Sequence, residues 1–149
     1  MRHALITGGA GFIGSHLTAA LLRAGFRVRI LDSLSPQIHG AVPKGLEWLS
    51  APGIEFQRGS VTSEGDLRRA LEGVDAVVHL AAETGTGQSM YDIARYNSVN
   101  VQGTALLLDV LANDRSRTVR RLVLASSRSI YGEGAHACSV CGPERGMMG

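Results

Sequence analysis

A glycine-rich segment near the amino terminus limits the fold more than any other part of the sequence. The segment Thr7–Gly14 reads TGGAGFIG and lies between a short apolar run, His3–Thr7, and a stretch with helical spacing, Phe12–Ala24. Glycine permits positive φ angles and lets backbone N–H groups approach a phosphate, while the first turn of a helix supplies unpaired N–H donors. A GxGxxG pattern alone is weak, but here it has the strand–turn–helix setting that it requires. The segment therefore predicts a phosphate-binding turn; a glycine turn without a ligand is the alternative.

The rest of the chain alternates short apolar runs with amphipathic stretches. Four further strands are predicted, at Arg27–Asp32, Ile54–Gly59, Asp75–Ala81 and Arg121–Ser126. Two further helices are predicted, at Ser63–Glu72, opened by a Ser63-x-x-Asp66 box, and at Met90–Asn113. The stretch Ser33–Pro52 is rich in Pro, Gly and Ser and predicts a loop with a short helical turn at Trp48 and Leu49.

This alternation predicts the fold class. Continuously apolar strands that alternate with helices imply a parallel sheet covered on both faces. Right-handed crossovers then give an α/β fold, a Rossmann-like doubly wound parallel sheet with strand order 3-2-1-4-5. Because the alternation ends after Tyr131, we expect one domain over residues 1–132. Residues 133–149 are predicted as an irregular Gly- and Cys-rich tail, consistent with the start of an insertion.

Composition and charge exclude several classes of function. The 149 residues suffice for one well-buried core, and the net charge of +2 does not indicate a nucleic-acid or membrane partner. The apolar runs are shorter than a membrane span, and the first one is interrupted at once by glycines, unlike a signal peptide. We therefore expect a cytoplasmic protein. The arginines between 115 and 121 are predicted to belong to a solvated loop.

An acidic residue at the end of the second predicted strand indicates which dinucleotide binds. Asp32 follows Gly14 by eighteen residues. A carboxylate at this point accepts hydrogen bonds from the adenosine ribose hydroxyls and repels a 2′-phosphate. The three residues that follow it are Ser, Leu and Ser, with no arginine to accommodate that phosphate. The sequence therefore predicts NAD rather than NADP.

These residues and several later motifs resemble the extended short-chain dehydrogenase/reductase family, and within it the NAD-dependent epimerase/dehydratase branch that includes nucleotide-sugar 4-epimerases. The opening Thr-Gly-x-x-Gly-x-x-Gly is matched by Thr7, Gly8, Gly11 and Gly14. The later matches are His79-Leu80-Ala81-Ala82, Asn97-Ser98-Val99-Asn100 with Gly103-Thr104, and Ser126-Ser127-Arg128-Ser129-Ile130-Tyr131-Gly132. The resemblance runs from residue 1 to about 132 and covers only the amino-terminal part of the family's fold, before its later strands and substrate lobe.

The resemblance implies a cofactor role for thirteen residues. They are Gly8, Gly11, Phe12, Ile13, Gly14, Asp32, Ser60, Val61, Leu80, Ala81, Ala82, Thr84 and Asn100. Phe12 and Ile13 would offer backbone amides to the pyrophosphate, and Asn100 would connect the long helix to the neighbouring strand end. Ser60 stands where the family usually has Asp, so a weaker adenine contact is expected there.

The resemblance also implies a reaction. Ser127 matches the catalytic Ser/Thr that hydrogen-bonds the sugar hydroxyl being oxidised. Arg128 and Ser129 stand where the family's dehydratases carry Asp-Glu, and Ser129 also replaces the Glu of its decarboxylases. The absence of both acids implies 4-epimerisation or simple oxidation and reduction. In 4-epimerisation, NAD would take a hydride from C4 of a nucleotide sugar and return it to the other face. The parent enzyme is expected to be a homodimer.

The family's base, the tyrosine of Tyr-x-x-x-Lys, has no match among these residues. Tyr91, Tyr96 and Tyr131 have no lysine four residues later, and Lys44 is the only lysine. We therefore expect a fragment of a longer enzyme, or a truncated gene product, that binds NAD without turnover and exposes apolar surface beside its fifth strand. The alternatives are a non-catalytic NAD-binding module and a family member that oxidises another alcohol.

A pair of cysteines lies in the tail. Cys138-Ser-Val-Cys141-Gly resembles half of a zinc-ribbon knuckle, whose other half is absent from these residues. Two incidental free thiols are an equally weighted interpretation. No metal-ligating residue is therefore assigned.

Overall fold

A five-stranded parallel sheet forms the centre of the molecule. The computed structural model describes residues 2–115, 118–127, 130, 135–140 and 142–145. The strands are β1 (His3–Thr7), β2 (Arg27–Asp32), β3 (Ile54–Arg58), β4 (Ala76–His79) and β5 (Arg121–Leu124). They are hydrogen-bonded in the order β3-β2-β1-β4-β5, and every neighbouring pair is parallel. The predicted fold class and strand order are confirmed.

Helices follow the strands, and several differ from the prediction. They are α1 (Phe12–Arg23), α2 (Pro36–His39), a 3₁₀ turn (Glu47–Ser50), α3 (Glu64–Leu71), α4 (Thr86–Ser89), α5 (Ile93–Tyr96) and α6 (Gly103–Asn113). The predicted Met90–Asn113 helix is wrong at its start, since Asp92 has non-helical backbone angles and α5 begins only after it. A π-helical segment, Asn97–Gln102, joins α5 to α6. Within the predicted loop, α2 forms where Pro36 presets the first helical φ angle.

Two apolar clusters cover the two faces of the sheet. Successive residues of a strand point to opposite faces, so Leu5 and Ile6 belong to different clusters. The first cluster packs Leu5 against residues of α3 and α6, including Leu67 and Leu107. The second packs Ile6 against partly buried leucines of α1. Helices on both faces make the sheet doubly wound, as predicted.

One arginine connects the sheet to the end of α3. Arg29 of β2 donates from Nη1 to the backbone oxygens of Ala70 and Glu72, at 2.9 and 2.7 Å. Its Nη2 lies 2.8 Å from the Glu55 carboxylate on β3. A cation at the carboxyl terminus of a helix satisfies backbone oxygens that have no partner inside the helix.

The tail contains a hairpin that the sequence pattern did not predict. β6 (Ala135–Cys138) pairs antiparallel with β7 (Gly142–Arg145), so the prediction of loop throughout is wrong for these residues. Antiparallel pairing uses backbone hydrogen bonds, which need no apolar periodicity in the sequence. Cys141 lies outside the described residues, so the zinc hypothesis and the domain boundary near 132 stay predictions. None of the described helices has both the length and the apolar character of a membrane span.

Candidate cofactor site

A groove of about 380 Å³ opens at the carboxyl ends of β1, β2 and β4. Its lining includes twelve of the thirteen residues assigned to a cofactor, all except Asn100. These twelve come from four separate parts of the chain, and the parallel sheet brings them together because its strands end on the same side. Their contact with a cofactor stays a prediction. The groove is also lined by residues that the sequence did not indicate, among them Ser35, His39 and Glu83.

The glycine turn closes one side of the groove and leaves no room for side chains. Gly8 has φ of +68°, and a Cβ there would lie 2.7 Å from the backbone of Ala81. A Cβ on Gly14 would lie 2.5 Å from the Gly9 Cα, because α1 packs directly on the turn. Gly11 is the N-cap of α1 and brings no side-chain acceptor. The start of α1 therefore presents backbone donors and a partial positive charge to the groove.

Asp32 braces the turn as well as facing the groove. Its Oδ2 accepts the Ala10 N–H at 3.0 Å, and its Oδ1 accepts the Leu34 N–H at 2.8 Å. The second bond closes an Asx turn around Leu34, whose φ of +54° is uncommon for a residue with a side chain. Each carboxylate oxygen has a second lone pair, so the carboxylate can still accept ribose hydroxyls. The His39 Nε2 lies 3.8 Å from Oδ1.

The loop after β3 is fixed by an acidic residue on α3. Asp66 Oδ2 accepts the Ser60 N–H at 3.0 Å, and this bond is the main cause that lowers the pKa of Asp66. The predicted box is half formed: the Ser63 hydroxyl accepts the Asp66 N–H, but the Asp66 carboxylate turns to Ser60 instead of back to Ser63. The loop after β3, which is expected to lie near adenine, is therefore held by the Asp66 carboxylate, although Ser60 itself has no carboxylate.

The chain after β4 forms the opposite side of the groove. Asn100 does not line the groove but lies behind it, where its Oδ1 accepts the Glu83 N–H at 2.8 Å and its Nδ2 donates to the Glu83 oxygen at 3.0 Å. The predicted connection between the long helix and the strand end is therefore present. Glu83 also pairs through Oε1 with Arg95 at 2.9 Å, while its buried Oε2 has no hydrogen-bond partner among the residues that the structure describes.

Side chains bridge the loops that follow β2 and β4. Arg95 donates to the Ser35 hydroxyl at 3.1 Å, and Gln37 donates to the Thr84 oxygen at 2.7 Å. The Tyr96 hydroxyl donates to the same oxygen at 2.6 Å. The bond to Glu83 raises the pKa of Arg95. These contacts could not be read from sequence spacing, because their partners are far apart in the chain.

Ser127 lies beyond the end of β5, on the same edge of the sheet as the glycine turn. It is exposed and does not line the groove. Arg128, Ser129 and Tyr131 lie outside the described residues. The reaction-specific part of the prediction therefore stays a prediction.

Comparison with known proteins identifies the family. The model of the NAD dependent epimerase/dehydratase family matches residues 4–145. The chain belongs to this family. The match extends past residue 132, into the tail hairpin.

Several family members are similar to this chain. A dTDP-L-rhamnose 4-epimerase from Burkholderia thailandensis is 38% identical over 133 residues, which are 88% of this chain and 36% of that protein. A UDP-glucose 4-epimerase from Neisseria meningitidis serogroup C is 34% identical over 135 residues, 89% of this chain and 39% of that protein. The chain therefore spans less than two-fifths of the length of these relatives.

Solved epimerases share the fold. UDP-glucose 4-epimerase from Stenotrophomonas maltophila, with bound NAD and formylated UDP-arabinopyranose, superposes with a TM-score of 0.74 at 27% identity, covering 94% of this chain and 40% of that one. UDP-glucose 4-epimerase from Brucella ovis, in complex with NAD, gives a TM-score of 0.72 at 29% identity, covering 91% of this chain and 39% of that one.

Proposed function

We propose that this chain forms the NAD-binding part of a nucleotide-sugar 4-epimerase. The observation that carries the proposal is the groove at the carboxyl ends of β1, β2 and β4, in which a glycine turn and a strand-end carboxylate face the same space. Relatives that act as 4-epimerases, and solved relatives with bound NAD, support it.

The residues present fit a dinucleotide. Gly11, the N-cap of α1, has no side chain to cover the backbone, and the Phe12 and Ile13 amides at the start of α1 would bind a pyrophosphate. Asp32 would accept the adenosine ribose hydroxyls, with Ser60 and Val61 beside the adenine. Leu80 to Thr84 would line the opposite side.

NAD, when bound, supplies the hydride acceptor and donor for oxidation and reduction at C4 of the sugar. Ser127 would hydrogen-bond the reacting sugar hydroxyl. These 149 residues contain no Tyr-x-x-x-Lys, so we expect the chain alone to bind NAD without epimerising a nucleotide sugar. Formation of a homodimer by the whole enzyme is part of the same proposal.

Calorimetric titration of the chain with NAD and with NADP tests the proposal. We expect NAD to bind at least about ten times more tightly than NADP, because the Asp32 carboxylate repels a 2′-phosphate. Asp32→Asn should weaken NAD binding about ten- to a hundredfold, the range expected for a lost hydrogen bond to a charged group. It should also narrow the difference in affinity between NAD and NADP.

Asp109→Asn is the matched control, since Asp109 lies on α6, away from the groove, and within the described part of the chain its carboxylate bonds to the nearby Asn113. It should bind NAD like the wild type. Melting curves of both variants separate loss of binding from loss of folding. Equal affinities of the wild type for NAD and NADP, or no binding of NAD, would contradict the proposal.

A further inference from the structure

A buried histidine connects β1 to α6 behind the groove. His79 of β4 is only 3% exposed. Its Nδ1 lies 2.7 Å from the Thr7 hydroxyl, and its Nε2 lies 3.1 Å from the Thr104 hydroxyl. Burial lowers the pKa of His79 below its ordinary value of 6.5, so the ring is neutral at pH 7.

The neighbouring bonds determine which ring nitrogen carries the proton. The Thr104 hydroxyl donates its single hydrogen to the backbone oxygen of Asn100 at 2.7 Å. The Thr104 hydroxyl oxygen must therefore accept the Nε2–H of His79. Nδ1 is then unprotonated and accepts the Thr7 hydroxyl hydrogen. The Thr7 oxygen is left to accept the Ala81 N–H, at 3.4 Å. All these groups are satisfied only with the neutral ring protonated on Nε2. We name this chain, from Ala81 through Thr7, His79 and Thr104 to Asn100, the His79 network.

One end of the His79 network lines the groove, and the other end bonds a residue that lines it. At one end, Ala81 lines the groove opposite Gly8, with no space between them for a Cβ. At the other end, Asn100 belongs to the π-helical segment and bonds both backbone groups of Glu83, which also lines the groove. Such π-helical turns are frequent at functional sites. The network thus spans the two elements that must keep a fixed spacing to enclose a dinucleotide.

We infer that His79 is a positioning residue for the cofactor: its neutral ring sets the spacing between the glycine turn and the Ala81–Glu83 segment, and through it the affinity for NAD. The inference rests on the proposed function. Protonation of Nδ1 would place a second hydrogen-bond donor opposite the Thr7 hydroxyl. The Thr7 hydroxyl hydrogen would then have to turn away from the ring. Acidification should therefore weaken NAD binding.

Among the described residues, no other titratable group takes part in the hydrogen bonds around the His79 ring. β1 faces the ring with Thr7, α6 with Thr104, and Leu124 of β5 is its register partner. The titratable groups on those elements are His3, Arg121 and Asp109, and burial is the only cause of the lowered pKa of His79. Asp32 and His39 lie in the groove itself and do not belong to the network.

NAD titrations of the full 149-residue chain between pH 5 and 8 test the inference. Thr7→Val should weaken NAD binding about three- to tenfold at pH 7.5, the effect of one ordinary hydrogen bond. Thr7→Ser keeps the hydroxyl and should bind NAD with wild-type affinity. The wild type should lose affinity as the pH falls through the pKa of His79, which burial holds below 6.5. His79→Asn, which keeps an acceptor near Nδ1 but cannot be protonated, should show a flat profile.

His39→Asn distinguishes the two histidines. In His39→Asn, the affinity for NAD should still fall at low pH. A loss that disappears in His39→Asn and survives in His79→Asn overturns the inference, as does wild-type affinity in Thr7→Val. If the wild type binds no NAD at any pH, the proposed function itself fails. Melting temperatures measured at each pH identify variants that lose affinity only by unfolding.

Discussion

β1 and β5 are both short apolar strands of the same parallel sheet, yet their surroundings are opposite. β1 is buried along its whole length, whereas every residue of β5 is exposed. Leu5 is 0% exposed and Leu124 is 54% exposed. The helices α1, α3 and α6 cover β1 on both faces, while β5 pairs only with β4 among the described residues. An apolar run therefore predicts a strand, but its burial depends on what packs on either face.

The same difference separates the two parts of the site. The glycine turn and Asp32 follow the covered strands and are fixed by close contacts and hydrogen bonds. Ser127 follows the exposed strand and lies outside the groove. The residues proposed to bind the cofactor are therefore held in place by contacts within the described part of the chain, whereas Ser127, proposed to contact the sugar, lies apart from them.

Matched leucine truncations should show the largest difference. Leu5→Ala should lower the free energy of unfolding by about 2–5 kcal/mol, because it leaves a cavity in a packed core. Leu124→Ala should cost less than about 1 kcal/mol, because that side chain is already in contact with water. Urea unfolding measures both. Equal losses would show that β5 is covered in solution and would break the comparison.

A glycine pair tests how tightly the turn packs. Gly14→Ala should destabilise the chain by about 1–3 kcal/mol, since the new Cβ would overlap the Gly9 backbone. Gly65→Ala, in α3, meets nothing within 4 Å and should stabilise by about 0.5–1 kcal/mol through helix propensity. Thermal melting followed by circular dichroism reports both. A neutral Gly14→Ala would mean that the turn has room to relax.

Acid should destabilise the covered part of the sheet. Burial, and next the Arg29 guanidinium, lower the pKa of His3 from 6.5. The unfolded chain then binds more protons than the folded one, so stability falls as the pH drops below about 6.5. His3→Asn keeps a donor for the Gly73 oxygen but does not titrate, and its stability should depend less on pH between 5 and 7. Parallel profiles for the two proteins would exclude His3 as a cause.

The smallest effect is expected on the solvent side of α3. Glu64 and Arg68 form an i,i+4 pair at 2.7 Å, with more than half of each side chain exposed. Glu64→Gln should cost only about 0.2–0.5 kcal/mol, and less in high salt. Urea unfolding at two salt concentrations measures it. A loss as large as that of Leu5→Ala would contradict the ranking of core over surface.

Local patterns were sufficient for much of the fold. The strand order followed from alternating apolar runs and crossover handedness, and the glycine turn from its place between β1 and α1. Asp32 was found by its spacing, but its bonds to Ala10 and Leu34 were not. The start of α5 was not predicted, because the non-helical backbone at Asp92 does not change the hydrophobic periodicity of the sequence. The tail hairpin was not predicted either, because its pairing uses backbone hydrogen bonds and needs no apolar periodicity.

By itself, the sequence determined the order of the strands, the glycine turn and the acid at the end of β2. The glycine turn and the acid depend on residues close together in the chain, and the strand order depends on the repeated alternation of strand and helix and on the handedness of its crossovers. Only the tertiary structure decided that Asp66 supports Ser60, that Arg95 bridges Ser35 and Glu83, and that His79 connects Thr7 to Thr104. These hydrogen bonds join atoms whose proximity arises only after the sheet and helices have packed, so the spacing of residues along the chain could not reveal them.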